Sequence, residues 1–180
     1  MTFRCGALPQ NGMPSTDGTP MSRSSEGRGL DETDRKILRL LRSNCRLTTQ
    51  EIADQVGLSP TPCWSRIKRM EENGVITGYV ALLDPEQVGK PDTVIVEINI
   101  EAHDDERIEA FSRYVLNLPE VTDAYLTTGE YDYVLIAAVD GTEGYEQFLR
   151  KKLLKFPGIR HTRSTFCLRR LKREPSPAVG

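Results

Sequence analysis

No two cysteines in this 180-residue chain are spaced for a metal site or a redox motif. Cys5, Cys45, Cys63 and Cys167 are scattered and no CxxC occurs, so neither a zinc cage nor a disulfide framework is indicated. They read as reduced thiols of a cytosolic protein. Histidine is scarce too. His103 and His161 are far apart, and neither belongs to a nucleophile or metal-binding motif. No glycine-rich loop is placed to cradle phosphate. Catalytic, metal and cofactor chemistry therefore find little to build on. No apolar run is long enough to span a bilayer, and the N-terminus lacks the apolar stretch of a secretory signal. These absences point to a cytoplasmic protein with no membrane partner. The formal net charge is only −2, so no global electrostatic pull toward nucleic acid exists.

The distribution of charge is more telling than its sum. Lys and Arg gather between Arg35 and Arg46, between Arg66 and Arg69, and between Arg150 and Arg173, while acids dominate from Asp92 to Glu146. Such asymmetry suggests a basic surface on one module and a separate task for the other. Residues 1–29 are rich in Gly, Pro, Ser and Thr and are expected to form a disordered leader. Met13 and Met21 lie within it, and Met21 is an alternative start to Met1.

Helical signals begin at Leu30. Asp31 is placed to cap a helix, with Asp34 near its positive end. Ile37, Leu38, Leu40 and Leu41 make an apolar stripe at helical spacing. Thr48 and Glu51 form a capping box for a second helix, which buries Ile52, Ala53 and Val56 and stops at Gly57. The stretch GLSPTPCWSRIKRMEENG opens a third helix on two prolines. Ser59 is a favourable N-cap, and Pro60 and Pro62 fall at the first and third helical positions, where a missing N–H costs no intrahelical bond. Trp64, Ile67 and Met70 can face the core, while Ser65, Arg66, Lys68 and Arg69 project elsewhere. Residues 75–83 read as a short extended segment of the kind that forms a wing, and 84–92, with Gly89 and Pro91, as a hinge.

The second half changes rhythm. TVIVEINIEA alternates Val94, Val96, Ile98 and Ile100 on one strand face with Ile95, Glu97 and Asn99 on the other. A helix is expected over 104–118, a hairpin of strands over 121–128 and 131–139 about Gly129-Glu130, a helix over 142–156 and a last strand over 159–168. The basic tail fades into Pro175 and Pro177. The fold class is thus α+β: an N-terminal winged helix-turn-helix over 30–83, then a βαββαβ ferredoxin-like domain over 93–172, with a flexible tail from 173 to 180.

The third helix suits DNA. A helix start attracts phosphate, Ser59 and Thr61 add hydroxyls, and Arg66 and Arg69 can reach phosphate or the acceptor edge of guanine. The competing reading is an amphipathic helix with a solvated charged face. Trp64 is expected as a core anchor rather than a base-stacking group. In LTTGEYDYVLIAAV, Gly129 permits a tight turn and Asp132 interrupts the apolar alternation. Its carboxylate could hold the α-amino group of a free amino acid, or it could be one solvated charge of an ordinary hairpin.

The segments LDETDRKILRLL, TTQEIADQVGLSPTPCWSRIKRMEENGVITGYVALLDPE and TTGEYDYVL closely resemble the leucine-responsive regulatory protein/AsnC family of transcription regulators, over roughly residues 30–172. The resemblance implies DNA contacts from Thr49, Gln50, Ser59, Thr61, Pro62, Trp64, Ser65, Arg66, Lys68 and Arg69. It implies a small effector, as a rule an amino acid, near Thr127, Thr128, Gly129, Glu130, Tyr131 and Asp132, where GEYD fits the family pattern. It also implies double-stranded DNA as partner, homodimers joined through their sheets, and higher assemblies such as octamers. A second expectation belongs to a different class. Some haem-pathway decarboxylases resemble the same two-domain architecture, and this chain offers Arg160, His161 and Arg163 on the last strand for such a role.

Overall fold

The computed structural model describes residues 29–101 and 104–179. The leader over residues 1–28, with Cys5, Met13 and Met21, and His103 lie outside the described residues. The chain divides into two compact units: residues up to Ala81 together with those from Glu174 onward, and Leu82–Arg173.

In the first unit Asp31 and Asp34 cap each other across the start of α1 (Glu32–Ser43). The Asp34 amide donates to Asp31 Oδ1 at 2.8 Å, and the Asp31 amide to Asp34 Oδ2 at 3.2 Å. Thr48 and Glu51 repeat the device at α2 (Thr49–Val56), which ends on Gly57 at φ 73°. A left-handed stop of this kind suits glycine, which has no Cβ to clash. α3 (Pro60–Glu72) follows, and the three helices enclose Ile37, Leu41, Ile52, Ala53, Cys63, Ile67 and Met70.

One sequence expectation needs correction here. Residues 75–83 form no strand. The Val75 and Ile76 amides both donate to the Met70 carbonyl, at 2.9 and 3.1 Å, turning the chain back along α3. Ile76 and Tyr79 then pack on the helical core, and the Tyr79 hydroxyl donates to Glu71 Oε1 at 2.8 Å. Side-chain packing, not a ladder, holds this segment. Arg42 of α1 donates to the Glu174 carboxylate and to the Ser176 carbonyl of the tail.

In the second unit, the expected hinge contains a hydrogen-bonded turn. The Val88 amide donates to the Asp84 carbonyl at 3.2 Å, and Gly89 closes the turn at φ 68°. The four strands β1 (Asp92–Ile100), β2 (Val121–Leu126), β3 (Tyr133–Val139) and β4 (Ile159–Phe166) form one antiparallel sheet in the order β2-β3-β1-β4. The helices α4 (Asp105–Val115) and α5 (Gly141–Lys151) interleave with the strands to complete βαββαβ. The alternation read from the sequence holds. Val94, Val96, Ile98 and Ile100 join Tyr133, Leu135, Ala137 and Val139 beneath Phe111, Val115, Tyr145 and Phe148. Ile95 pairs across the sheet with Ile136 and Glu97 with Val134, on the opposite face. The last helix stops earlier than expected, at Lys151, and a 3-10 turn over Leu153–Lys155 follows.

Candidate nucleic-acid interface and effector cleft

The side chains of α3 divide into three rows. Cys63, Ile67 and Met70 are buried. At 100° per residue, Thr61, Trp64, Ser65 and Lys68 fall on the opposite face, the i, i+3, i+4, i+7 row, and all four are exposed. Pro62, Arg66 and Arg69 form a flanking row. The sequence reading placed Trp64 in the core; it is 40% exposed, because Cys63 occupies the inward position one residue earlier. Lys68 Nζ lies 5.1 Å from the centre of the Trp64 ring and 3.7 Å from Glu72. A cation at that distance from an indole face is a stabilising contact.

Arg66 and Arg69 were expected to reach toward DNA. Their guanidiniums point instead at the start of α1. Arg66 Nη1 sits 2.6 Å from Asp31 Oδ2 and 2.8 Å from Asp34 Oδ1, and Arg69 Nη2 sits 2.6 Å from Asp34 Oδ2. Asp34 is 1% exposed, so its carboxylate requires cationic partners. Hydrogen bonds that its guanidinium donates to Asp31 and then to Asp34 push Arg66 above its ordinary range. The Asp34 amide, and then Arg66, hold Asp31 below the usual carboxylate range. These two arginines join α3 to α1.

The helix start also differs from expectation. Ser59 occupies the N-cap with extended backbone, but its side chain makes no capping bond. A serine cap accepts from the N2 or N3 amide, and N3 here is Pro62, which has none. Two of the four amides normally open at a helix start are absent, leaving those of Ser59 and Thr61. Beside them lies a cleft of about 450 Å³ lined by Thr48, Thr49, Gln50, Pro60, Thr61 and Trp64. The cleft thus gathers Thr49, Gln50, Thr61 and Trp64 from two helices. The Gln50 amide nitrogen donates to Asp54 Oδ1 at 2.7 Å.

The second site lies at the β2–β3 hairpin. Thr127, Thr128 and Asp132 line a cleft of about 310 Å³ with Ile100, Ile108, Leu126 and Tyr133. The last four escaped the sequence reading, which followed the turn and could not see β1 and α4 brought beside it. Gly129, Glu130 and Tyr131 do not line this cleft. Gly129 is not among the glycines at positive φ, so the turn does not exploit its conformational freedom. Tyr131 stacks on His161, with ring centres 6.2 Å apart. Asp132 is partly committed to the backbone. Its Oδ2 accepts from the Ile100 amide at 2.9 Å, and its own amide donates to Asn99 Oδ1 at 3.0 Å. The Thr127 amide donates to the Asp132 carbonyl at 2.8 Å, closing the loop. Asp132 therefore continues the β1–β3 pairing past its last partners, Ile98 and Tyr133.

Among the described residues no cluster of three or more His, Cys, Asp or Glu is arranged to hold a metal ion, and no helix is long and apolar enough to cross a membrane. Residues 30–77 match the profile of the winged helix-turn-helix DNA-binding family, and residues 93–177 that of the Lrp/AsnC ligand binding domain. The chain is 38% identical over 143 residues to the DNA-binding transcriptional activator DecR of Escherichia coli K12, covering 79% of this chain and 94% of that protein. It is 36% identical over 151 residues to the leucine-responsive regulatory protein of the same organism, covering 84% and 92%. Among solved structures it resembles an AsnC family transcriptional regulator from Agrobacterium tumefaciens, with TM-score 0.78, 40% identity and coverage of 82% and 95%. A transcriptional regulator of Neisseria meningitidis in complex with L-Met gives TM-score 0.77 at 36% identity, covering 82% and 96%. With both of its units matched, the chain belongs to the Lrp/AsnC family of DNA-binding transcription regulators.

Proposed function

We propose that this regulator places α3 in the major groove of double-stranded DNA and takes an amino acid in the hairpin cleft. The observation that carries this reading is the exposed row Thr61, Trp64, Ser65 and Lys68, which follows a proline-started helix end and borders Thr49 and Gln50 of α2. Thr49, Thr61 and Ser65 supply hydroxyls, and the Thr61 amide and Lys68 attract phosphate. Arg66 and Arg69 support the helix from its flank and are not assigned to DNA. In a homodimer, two copies of α3 would meet successive major grooves about one helical turn apart. The working assembly is a dimer or a higher homo-oligomer such as an octamer, acting in the cytoplasm, and we assign it no catalytic activity.

The effector assignment draws on the apolar wall of Ile100, Ile108 and Leu126 facing Thr127, Thr128 and Asp132. It also draws on the L-Met complex of the related Neisseria regulator. An effector changes DNA binding only if it prefers one assembly or conformation over another. The decarboxylase alternative relied on Arg160, His161 and Arg163. His161 is stacked on Tyr131 and Arg163 Nε lies 3.6 Å from Glu97, which gives that alternative no specific support.

DNA selection from a random duplex library, followed by titration with each of the twenty amino acids, tests the proposal. Expected are a recurrent motif, affinity that falls with salt, and a change in affinity or sedimentation with at least one amino acid. Absence of any selected sequence would remove the DNA assignment. Indifference to every amino acid would remove the effector assignment.

A further inference from the structure

We infer that Trp64 is the specificity-determining residue of this interface, and that it reads thymine through the 5-methyl group. This inference rests on the placement of α3 in the major groove proposed above. Sequence in that groove is read by two kinds of chemistry. Guanine is recognised by bidentate cationic donors, and thymine by apolar contact with its methyl group. The arginines of α3 that suit guanine are Arg66, engaged by Asp31 and Asp34, and Arg69, engaged by Asp34. Drawing either guanidinium fully onto a base would leave the buried Asp34 carboxylate short of a partner, at a cost to the fold.

The exposed row offers a different set. Ser65 and Thr61 are short, and Lys68 is a flexible point charge already shared between Glu72 and the Trp64 ring. Trp64 alone in that row is large, rigid and apolar. It lines the 450 Å³ cleft together with Thr48, Thr49, Gln50, Pro60 and Thr61. The indole and the pyrrolidine ring of Pro60 give this cleft apolar surface on which a thymine methyl can be withdrawn from water. The lysine contact hides part of the indole face in the absence of DNA. Lys68 has a ready alternative partner in phosphate, so docking can uncover the ring while gaining a backbone contact. The arrangement therefore couples a sequence-independent contact to a sequence-reading one, on neighbouring turns of the same helix.

The test uses the full-length chain and a duplex chosen by library selection. Each thymine of the selected site is replaced in turn by deoxyuridine, which removes the methyl group and nothing else. At one thymine per half-site, binding is expected to weaken about fourfold, the value of a single methyl group withdrawn from apolar contact. In Trp64→Ala that penalty should disappear, while replacement at other positions behaves as before. Trp64→Phe should retain part of it, and circular dichroism checks that both variants remain folded. A deoxyuridine penalty unchanged in Trp64→Ala would overturn the inference. So would a selected site whose specificity depends on guanine N7 and is lost in Arg66→Gln with the fold intact. Failure of the wild-type chain to select any sequence would instead remove the DNA-binding placement on which the inference stands.

Discussion

Asp34 is the residue on which the first unit turns. It closes the capping box of α1, is 1% exposed, and receives Arg66 and Arg69 from α3. A carboxylate so placed is stable only because both of its oxygens have donors, Arg66 on one and Arg69 with the Asp31 amide on the other. Replacing it by Asn keeps the shape but removes the charge that two guanidiniums share. We expect Asp34→Asn to destabilise the first unit by about 3 kcal/mol, measured by chemical denaturation. DNA affinity should fall no faster than the folded fraction. A variant that unfolds normally yet binds DNA more weakly would reassign the arginines to the interface. The sequence disclosed Asp34 as a charge near a helix start but gave no sign of burial. That depends on α3 crossing α1 at a distance of more than thirty residues along the chain. The helical wheel was available, however. It separates Arg66 and Arg69 from the row of Trp64 and Lys68, so the charge run need not be read as a single surface.

At the scale of elements, the start of α3 shows how local rules interact. Ser59 before a helix normally contributes about 1 kcal/mol through its side-chain bond. Pro62 removes one of the two donors open to this bond, that at N3, and Ser59 makes no bond to the other, the Thr61 amide. Ser59→Ala should therefore change stability by less than about 0.5 kcal/mol, a typical surface value. Thr48→Ala, at the intact capping box of α2, should cost about 1 kcal/mol. In a Pro62→Ala background the serine regains a donor, and Ser59→Ala should then cost about 1 kcal/mol. Thermal melts of the four combinations decide the matter; a full cost in the wild-type background would contradict it. The hairpin carries a similar lesson. Its existence was legible from strand alternation around Gly129-Glu130, yet its closing pair was not. Asp132 bonds to the Ile100 amide beyond the end of the ladder. Its replacement by Ala would therefore weaken the sheet end as well as any effector contact. Thr128, exposed and on the cleft wall, is the cleaner probe. Thr128→Ala should shift the effector titration severalfold without moving the melting temperature.

For the whole molecule, acid should loosen both units. In the second, burial pushes Glu120 upward, but the hydrogen bond from Lys152, its backbone hydrogen bond and the Lys152 charge outweigh it, leaving the carboxyl below its ordinary value of 4.5. In the first, Asp31 and Glu51 are held low, Glu51 by the Thr48 amide and then the Thr48 hydroxyl. A carboxyl with a depressed folded-state pKa stabilises above its unfolded value and loses that contribution as pH falls through the folded value. Stability should hold from neutrality to about pH 5, then decline progressively below about 4.5. Glu120→Gln should flatten that decline for the second unit, as read by near-ultraviolet circular dichroism; an unaltered profile would remove the pair from the account. The two-part plan, the helix order and the βαββαβ sequence were legible because they follow from period, caps and breakers within each segment. The 75–83 segment was misread because β propensity signals extension but not the presence of a partner strand, and packing of Ile76 and Tyr79 on the helices prevailed.

The contact of Arg42 with Glu174 and Ser176 has a practical side. A purification handle fused behind the last residues would not hang idle in solvent. It would tug on a segment that rests against the opening helix of the DNA-reading unit. Binding curves taken with such a fusion would report the handle along with the regulator. A handle at the opposite end, or one removed by protease before assay, avoids loading that contact.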